Sequence, residues 1–297
     1  MNWPAHVTIK EVGPRDGLQN EQTFLSTEGK INWINQLSQT GLKHIEITSF
    51  VNPKWIPALA DSLEVAKGIE RVPGITYTAL VPNRRGLEGA LEGNVDDVAV
   101  FMSASETHNQ KNINKSIDDT FPVLREVVKE ALSGGKSVRG YVSTVFGCPY
   151  EGHVAIDQVI RVSEHLFEMG IQELSLGDTI GVANPKQVQE VLNILLKRFP
   201  IEKLALHFHD THGTAVANIL AALDMGITTF DASTGGLGGC PYAPGASGNV
   251  ATEDVIYMLN NMGIDTGVNL EKLLGAGSFI QKKIGRSLPS RNLQACN

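Results

Sequence analysis

Apolar residues fall along the chain in two alternating rhythms. Short β-branched runs that read as strands are followed by longer stretches whose apolar residues recur every three or four positions, the period of a helix with one buried face. The first run, 6–12, ends in the turn-rich segment Gly13-Pro14-Arg15-Asp16-Gly17. A helix over 26–40 follows, with Ile31, Ile34 and Leu37 on one side, and then a strand over 43–48. The same alternation predicts helices at 57–69, 85–91, 117–132, 156–169, from 185 onward, at 214–225 and at 251–262. It predicts strands at 75–81, 96–102, 137–144, 172–176, 203–209 and 227–233. Asn184-Pro185 is a helix cap followed by a first-turn proline. Thr40-Gly41-Leu42, Met169-Gly170-Ile171 and Met225-Gly226-Ile227 share one device. In each, a glycine free to turn left-handed ends a helix, and an apolar residue leads into the next strand.

Eight strands, each followed by a helix, imply a parallel sheet covered by helices. In 297 residues this pattern fits a single catalytic domain, a closed (β/α)8 or TIM barrel over about 6–262 with additional C-terminal helices over about 263–297. A doubly wound open sheet is disfavoured, because no Gly-x-Gly-x-x-Gly follows the first strand.

Composition narrows the functional classes. At 42% hydrophobic and 19% charged, the chain has the make-up of an ordinary globular protein with room for a substantial core. A net charge of −7 and a pI near 5.6 exclude a general nucleic-acid binder, leaving room only for a local basic patch that would meet a small phosphorylated ligand. No run is long enough to span a bilayer, so no membrane partner is expected. The first strand begins just after Met1-Asn2-Trp3-Pro4, which leaves no room for a targeting segment, and a cytoplasmic location is expected. Cys148, Cys240 and Cys296 are too few and too irregularly spaced for a disulfide framework and read as free thiols in a reducing compartment.

The chemistry collects where a barrel keeps its active site, at the C-terminal ends of the strands. Arg15 and Asp16 follow strand one, and Glu46 lies near the end of strand two. Asp178 and Thr179 follow strand six, and His207 and His209 close strand seven. Two histidines at i and i+2 share one face of a strand, a spacing that suits one divalent metal ion and equally two polar residues at a strand end. Glu46 sits between Ile45 and Ile47, so it faces either the barrel interior or the outer helix layer. Both places require a cation or a hydrogen-bond donor beside it. Asp178 is either a helix cap or a site residue, and Asp16 and Arg15 alone would pass for a turn residue and its ion-pair partner. His6, His153 and His212 read as polar surface or loop residues. The glycine-rich stretch 235–249 after strand eight permits close approach of backbone to a ligand, and it carries Cys240 before a proline, a candidate acid or base in a mobile lid. Cys148 reads as a structural loop residue, and Cys296 lies in the tail.

Three segments carry a resemblance: Gly13-Pro14-Arg15-Asp16-Gly17-Leu18-Gln19-Asn20-Glu21, His207-Phe208-His209-Asp210-Thr211, and the loop 235–249 running on to Glu253. They closely resemble the 3-hydroxy-3-methylglutaryl-CoA lyase family, over essentially the whole chain and including 146–152 and 175–181. The Arg-Asp-Gly and His-x-His elements belong to a wider superfamily of metal-dependent Claisen-type lyases and synthases, whereas the cysteine loop is specific to the lyases. The resemblance implies cleavage of (S)-3-hydroxy-3-methylglutaryl-CoA to acetyl-CoA and acetoacetate, as in leucine catabolism and ketone-body formation. It implies that Asp16, His207, His209 and Asn249 ligate Mg²⁺ or Mn²⁺, that Arg15 stabilises the enolate of the thioester carbonyl, and that Cys240 transfers a proton. Glu46, Asp178, Thr179 and Glu253 would support the site, and Gln19 would assist the Arg15 loop.

These residue types suit that chemistry. A cation held by one carboxylate, two imidazoles and an amide keeps positions open for substrate oxygens. Asp16 and His207 are both candidates to take the hydroxyl proton, and a fixed guanidinium is well suited to the negative oxygen of an enolate. For the CoA arm, Arg84, Arg85 and Lys115 supply cations at the same rim, and Lys111 and Asn112 look by resemblance like direct contacts, the alternative being solvated surface charge. The expected partner is thus a small CoA thioester, with association into a homodimer or higher homo-oligomer. The nearest rival is a condensing synthase or another 3-hydroxyacyl-CoA lyase with the same barrel and metal site. A non-catalytic binder of metal or acyl-CoA would keep the pocket but lack the pair Arg15 and Cys240.

Overall fold

The computed structural model describes residues 3–239 and 248–296. Its eight parallel strands are β1 (Thr8–Glu11), β2 (His44–Ser49), β3 (Thr76–Leu80), β4 (Asp97–Ser103), β5 (Ser137–Ser143), β6 (Glu173–Asp178), β7 (Leu204–Phe208) and β8 (Thr229–Ala232). They pair in sequence order and close through β1 and β8, with Thr8 opposite Thr229 and Glu11 opposite Ala232. The open doubly wound alternative is thereby excluded. The intervening helices are α1 (Thr27–Leu37), α2 (Ser62–Gly68), α3 (Arg84–Glu92), α4 (Glu106–Ile113), α5 (Ile117–Ser133), α6 (Ile156–Met169), α7 (Pro185–Leu195), α8 (Ala215–Asp224) and α9 (Thr252–Asn261). Two more, α10 (Leu270–Ile284) and α11 (Arg291–Ala295), form the C-terminal addition, with α10 packed against both α9 and α1.

Local chemistry sets these boundaries. Asn184 caps α7 by accepting from Gln187 N at 3.1 Å, with Pro185 in the first turn. Gly41, Gly170 and Gly226 all adopt the left-handed conformation between a helix and the following strand, at φ of 98°, 105° and 90°. One helix escaped the apolar rhythm. Within α4 the residues are mostly polar, so its signal lies in its ends: Ser105 Oγ accepts from His108 N at 3.1 Å, and Asn114 turns left-handed at φ 58°.

Strand alternation divides the inside into two shells. Ile9, Ile45, Leu174, Leu206, Phe208 and Phe230 belong to the large apolar core between sheet and helices. The side chains of opposite parity point along the barrel axis, and many of them are charged. Arg139 on β5 reaches Asp231 on β8, and Tyr141 on β5 reaches Glu46 on β2. These strands are not neighbours, so the contacts cross the interior. Among the described residues, no helix is long and apolar enough to cross a membrane.

Candidate active site

Residues 13–17 form a single wide turn at the end of β1, held by Val12 O, which accepts from Asp16 N at 2.7 Å and Arg15 N at 3.1 Å. Gly17 permits the turn to sit under the β8 loop, because a Cβ there would lie 2.9 Å from both Leu237 Cβ and Ser233 Oγ. The turn projects Arg15 and Asp16 over the barrel mouth. Arg15 donates through Nη1 to Asp16 Oδ1 and pairs through Nη2 with Glu46 Oε2 at 2.8 Å. Glu46 therefore faces the barrel interior, and its cation is Arg15. Burial would lower the Arg15 pKa, but Glu46 and then Asp16 outweigh it and keep the guanidinium charged. Burial would likewise raise the Asp16 carboxyl; Arg15, with His207, His209 and Asn249, overrides this and holds it down to about 2.

His207 and His209 point from β7 toward the same mouth. His207 Nδ1 lies 3.4 Å from Asp231 Oδ2, its register partner on β8, and Nε2 lies 4.0 Å from Asp16 Oδ2. Burial, then the neighbouring His207, lower His209 to about 3, so it is a neutral imidazole with a free lone pair. The segment that begins at Gly248 runs alongside β7, with Asp210 N bonded to Gly248 O at 2.6 Å and Val250 N to Phe208 O at 3.1 Å. This sets Asn249 beside His209. Its Nδ2 donates to Asp16 Oδ2 at 2.8 Å and to Leu237 O at 3.0 Å, which leaves Oδ1 as its available ligand atom.

A divalent cation fits these donors. Ligand atoms of Asp16, His207 and His209 all lie within 4.8 Å of one another. Two nitrogen or oxygen ligands at about 2.0–2.2 Å on opposite sides of one ion lie up to roughly 4.4 Å apart, a span that includes the 4.0 Å between Asp16 Oδ2 and His207 Nε2. Charge points the same way, because one guanidinium is shared between the two carboxylates of Asp16 and Glu46.

The mouth opens into a cavity of about 660 Å³, in the range of small-molecule sites. Arg15, Asp16, Gln19, Thr179, His207 and His209 line it. Lys111 and Asn112 of α4 also line it, and the Lys111 ammonium lies 4.6 Å from the Tyr150 ring centre. Arg84 does not reach the cavity; it faces Glu126 and Glu130 of α5. Arg85 and Lys115 are also absent from the lining. Cys240 lies outside the described residues.

Other expected residues sit behind the wall. Both oxygens of Asp178 accept from backbone, from Val182 N and Ala183 N at 3.0 Å each, so the carboxylate shapes the loop before α7 while Asn184 does the capping. Burial raises it to about 6 despite these bonds. Cys148 is buried, with Sγ 3.0 Å from Ser105 Oγ. Glu253 accepts from Gly235 N at 2.9 Å, at the root of the cysteine loop. Burial raises Glu253 to about 8, against 4.5 for an ordinary glutamate. Between these values the folded state holds a proton that the unfolded chain releases, so this group's contribution to stability is full below 4.5 and is lost as pH rises to 8. Glu253→Gln mimics the neutral acid. Urea midpoints of variant and parent should coincide in acid and separate in the variant's favour toward pH 8; parallel curves would contradict this.

Four further residues escaped the reading of the sequence. Glu11 Oε1 accepts from Gly13 N and Thr234 N at 2.8 Å, and Oε2 from Thr234 Oγ1 and Thr252 Oγ1 at 2.7 Å. It ties the Arg15 turn to the root of the cysteine loop. Tyr141 lines the cavity, and Arg139 and Asp231 fill the barrel interior beside it. Their signal was present as period-two alternation: Arg139 and Tyr141 fall between Val138, Gly140 and Val142.

Comparison with known proteins identifies the family of the chain. Residues 6–280 match the family model described as HMGL-like. The chain is 66% identical to the hydroxymethylglutaryl-CoA lyase YngG of Bacillus subtilis, covering 99% of this chain and 98% of the relative. It is 51% identical to the human mitochondrial hydroxymethylglutaryl-CoA lyase, covering 98% of this chain and 90% of that one. The crystal structure of the Bacillus subtilis HMG-CoA lyase superposes with a TM-score of 0.99 at 65% identity, covering 100% of this chain and 99% of that chain. An HMG-CoA lyase from Acinetobacter baumannii, in complex with coenzyme A and 3-methylmalate, superposes at 0.94 with 41% identity over 99% of this chain and 96% of that one.

Proposed function

The chain belongs to the HMGL-like family and is a carbon–carbon lyase that cleaves 3-hydroxy-3-methylglutaryl-CoA to acetyl-CoA and acetoacetate, and from that premise we propose which of its residues do the work. The observation that carries the reading is the convergence of Asp16, His207 and His209 with Arg15 at one cavity mouth. Asp16, His207 and His209, with Asn249 Oδ1, hold one Mg²⁺ or Mn²⁺ ion. When bound, that ion supplies Lewis acidity to the substrate oxygens that face it.

The remaining steps fall to the chain's own groups. Asp16 or His207 takes the proton of the tertiary hydroxyl, and the electron pair left on that oxygen forms the ketone of acetoacetate as the C–C bond breaks. The bonding pair passes to the acetyl-CoA fragment as an enolate, whose oxygen is met by the Arg15 guanidinium, pre-oriented by Glu46 and Asp16. Cys240 returns a proton to the enolate carbon. Gln19 and Thr179 contact the acyl part of the substrate, and Lys111 and Asn112, which line the same cavity, hold the CoA arm. Glu46, Asp178 and Glu253 keep the surrounding loops in register. A role in leucine catabolism, a cytoplasmic location and a homo-oligomeric state complete the proposal.

An assay of acetoacetate release across a small panel of 3-hydroxyacyl-CoA esters tests the reading. The 3-hydroxy-3-methylglutaryl ester should be cleaved fastest, with one acetyl-CoA formed per acetoacetate. Faster cleavage of a different ester, or net condensation in place of cleavage, would favour the rival.

A further inference from the structure

Beneath the cavity floor, one buried guanidinium touches both halves of the chemistry without lining the cavity itself. Arg139 Nη2 donates to Asp231 Oδ1 at 2.6 Å, Nη1 donates to the Tyr141 hydroxyl at 2.6 Å, and Nε donates to Glu173 Oε1 at 2.5 Å. The first branch runs through Asp231, whose Oδ2 accepts from Ser175 Oγ at 2.7 Å and lies 3.4 Å from His207 Nδ1. The second runs through the Tyr141 hydroxyl, which donates to Glu46 Oε2 at 3.0 Å; that same oxygen pairs with Arg15 Nη2 at 2.8 Å. The Tyr141 ring is held between the two guanidiniums, 4.7 Å from Arg139 Cζ and 5.4 Å from Arg15 Cζ. The third branch anchors the whole to the barrel floor, where Glu173 also meets Lys10 at 2.7 Å.

An apolar filling of this layer would cost the barrel less desolvation than an arginine and its carboxylates. What the ions supply in exchange is direction. A carboxylate behind an imidazole fixes which nitrogen faces a metal, and a glutamate oxygen held by a tyrosine hydroxyl fixes where one prong of the arginine it faces sits.

We propose that Arg139 is a positioning residue that orients two groups at once: His207 toward the cation through Asp231, and Arg15 toward the enolate oxygen through Tyr141 and Glu46. The proposal rests on the metal site and the Arg15 role assigned above. It makes the two branches separable, because each can be cut without touching the other.

The test compares Arg139→Gln, Arg139→Lys, Asp231→Asn and Tyr141→Phe with the parent protein by three readouts. These are Mn²⁺ affinity from the electron paramagnetic resonance signal of free Mn²⁺, the thermal midpoint, and kcat and KM at saturating Mn²⁺. Asp231→Asn should weaken Mn²⁺ binding by about 10–100-fold. Tyr141→Phe should leave Mn²⁺ affinity within about twofold and lower kcat at least tenfold with little change in KM, as expected when an interaction made only in the transition state is weakened. Arg139→Gln should show both defects, and Arg139→Lys a smaller version of each. If Arg139→Gln does not fold, the two branch variants decide the matter alone. Folded Arg139 variants with parental Mn²⁺ affinity and kcat would overturn the proposal. So would branch variants in which both readouts fall together in proportion to the folded fraction, since that is the mark of a merely structural network. A parent protein that binds no Mn²⁺ would overturn the metal site itself, and this proposal with it.

Discussion

Arg15→Gln is expected to lower turnover by on the order of 10²–10³-fold or more while leaving Mn²⁺ affinity within a few fold, since a preorganised donor to a developing oxyanion contributes about that much. The side chain is buried, it bridges Asp16 and Glu46, and its guanidinium is fixed over the mouth of the cavity. Glutamine keeps a donor but neither the charge nor the two-pronged geometry. Truncating one partner of a buried ion pair also costs stability, so the rate is to be taken per folded molecule, with a urea melt alongside. Steady-state kinetics with a Mn²⁺ titration would separate the outcomes: slow turnover at normal metal affinity supports the enolate role. Lost metal affinity would mean that Arg15 serves chiefly to hold Asp16 in place.

The second large effect is expected from His209→Ala. Its imidazole is neutral because burial and the adjacent His207 depress its pKa to about 3, and a neutral imidazole is the form that ligates a cation. Removing a direct ligand should weaken metal binding by more than the roughly 10–100-fold seen for groups one layer further out. Activity at low metal should vanish and partly return at high metal. Excess Mn²⁺ that restores nothing while binding remains tight would place His209 in another role.

Much of this was legible in the chain because helices and strands announce themselves by period. The eight-fold alternation, the three left-handed glycines and the Asn184-Pro185 cap all appear in the structure as read. The rim was legible too, because Arg15 and Asp16 lie in the turn after β1 and His207 and His209 stand at the end of β7. Less visible were groups whose meaning depends on what lies across the barrel. Arg139 and Asp231 are 92 residues apart, and nothing local tells an inward charged residue from one at the sheet surface. Glu11 faces the opposite way from its neighbour Lys10 and meets Thr234 and Thr252, partners more than 200 residues away in the chain. Helix α4 was missed for a different reason: it is positioned by its caps and by Lys111 and Asn112 at the cavity, not by an apolar face. Asp178 shows the converse, an unusual residue at the right rim whose carboxylate is occupied by its own loop.

The most direct measurement is acetoacetate release from 3-hydroxy-3-methylglutaryl-CoA by protein stripped with a chelator and then titrated with Mg²⁺ or Mn²⁺. The stripped protein should be inactive, and turnover should return in step with the binding of one divalent ion per chain, provided Asp16, His207 and His209 are intact. Full turnover in the stripped protein, or none with any divalent ion bound, would contradict the account.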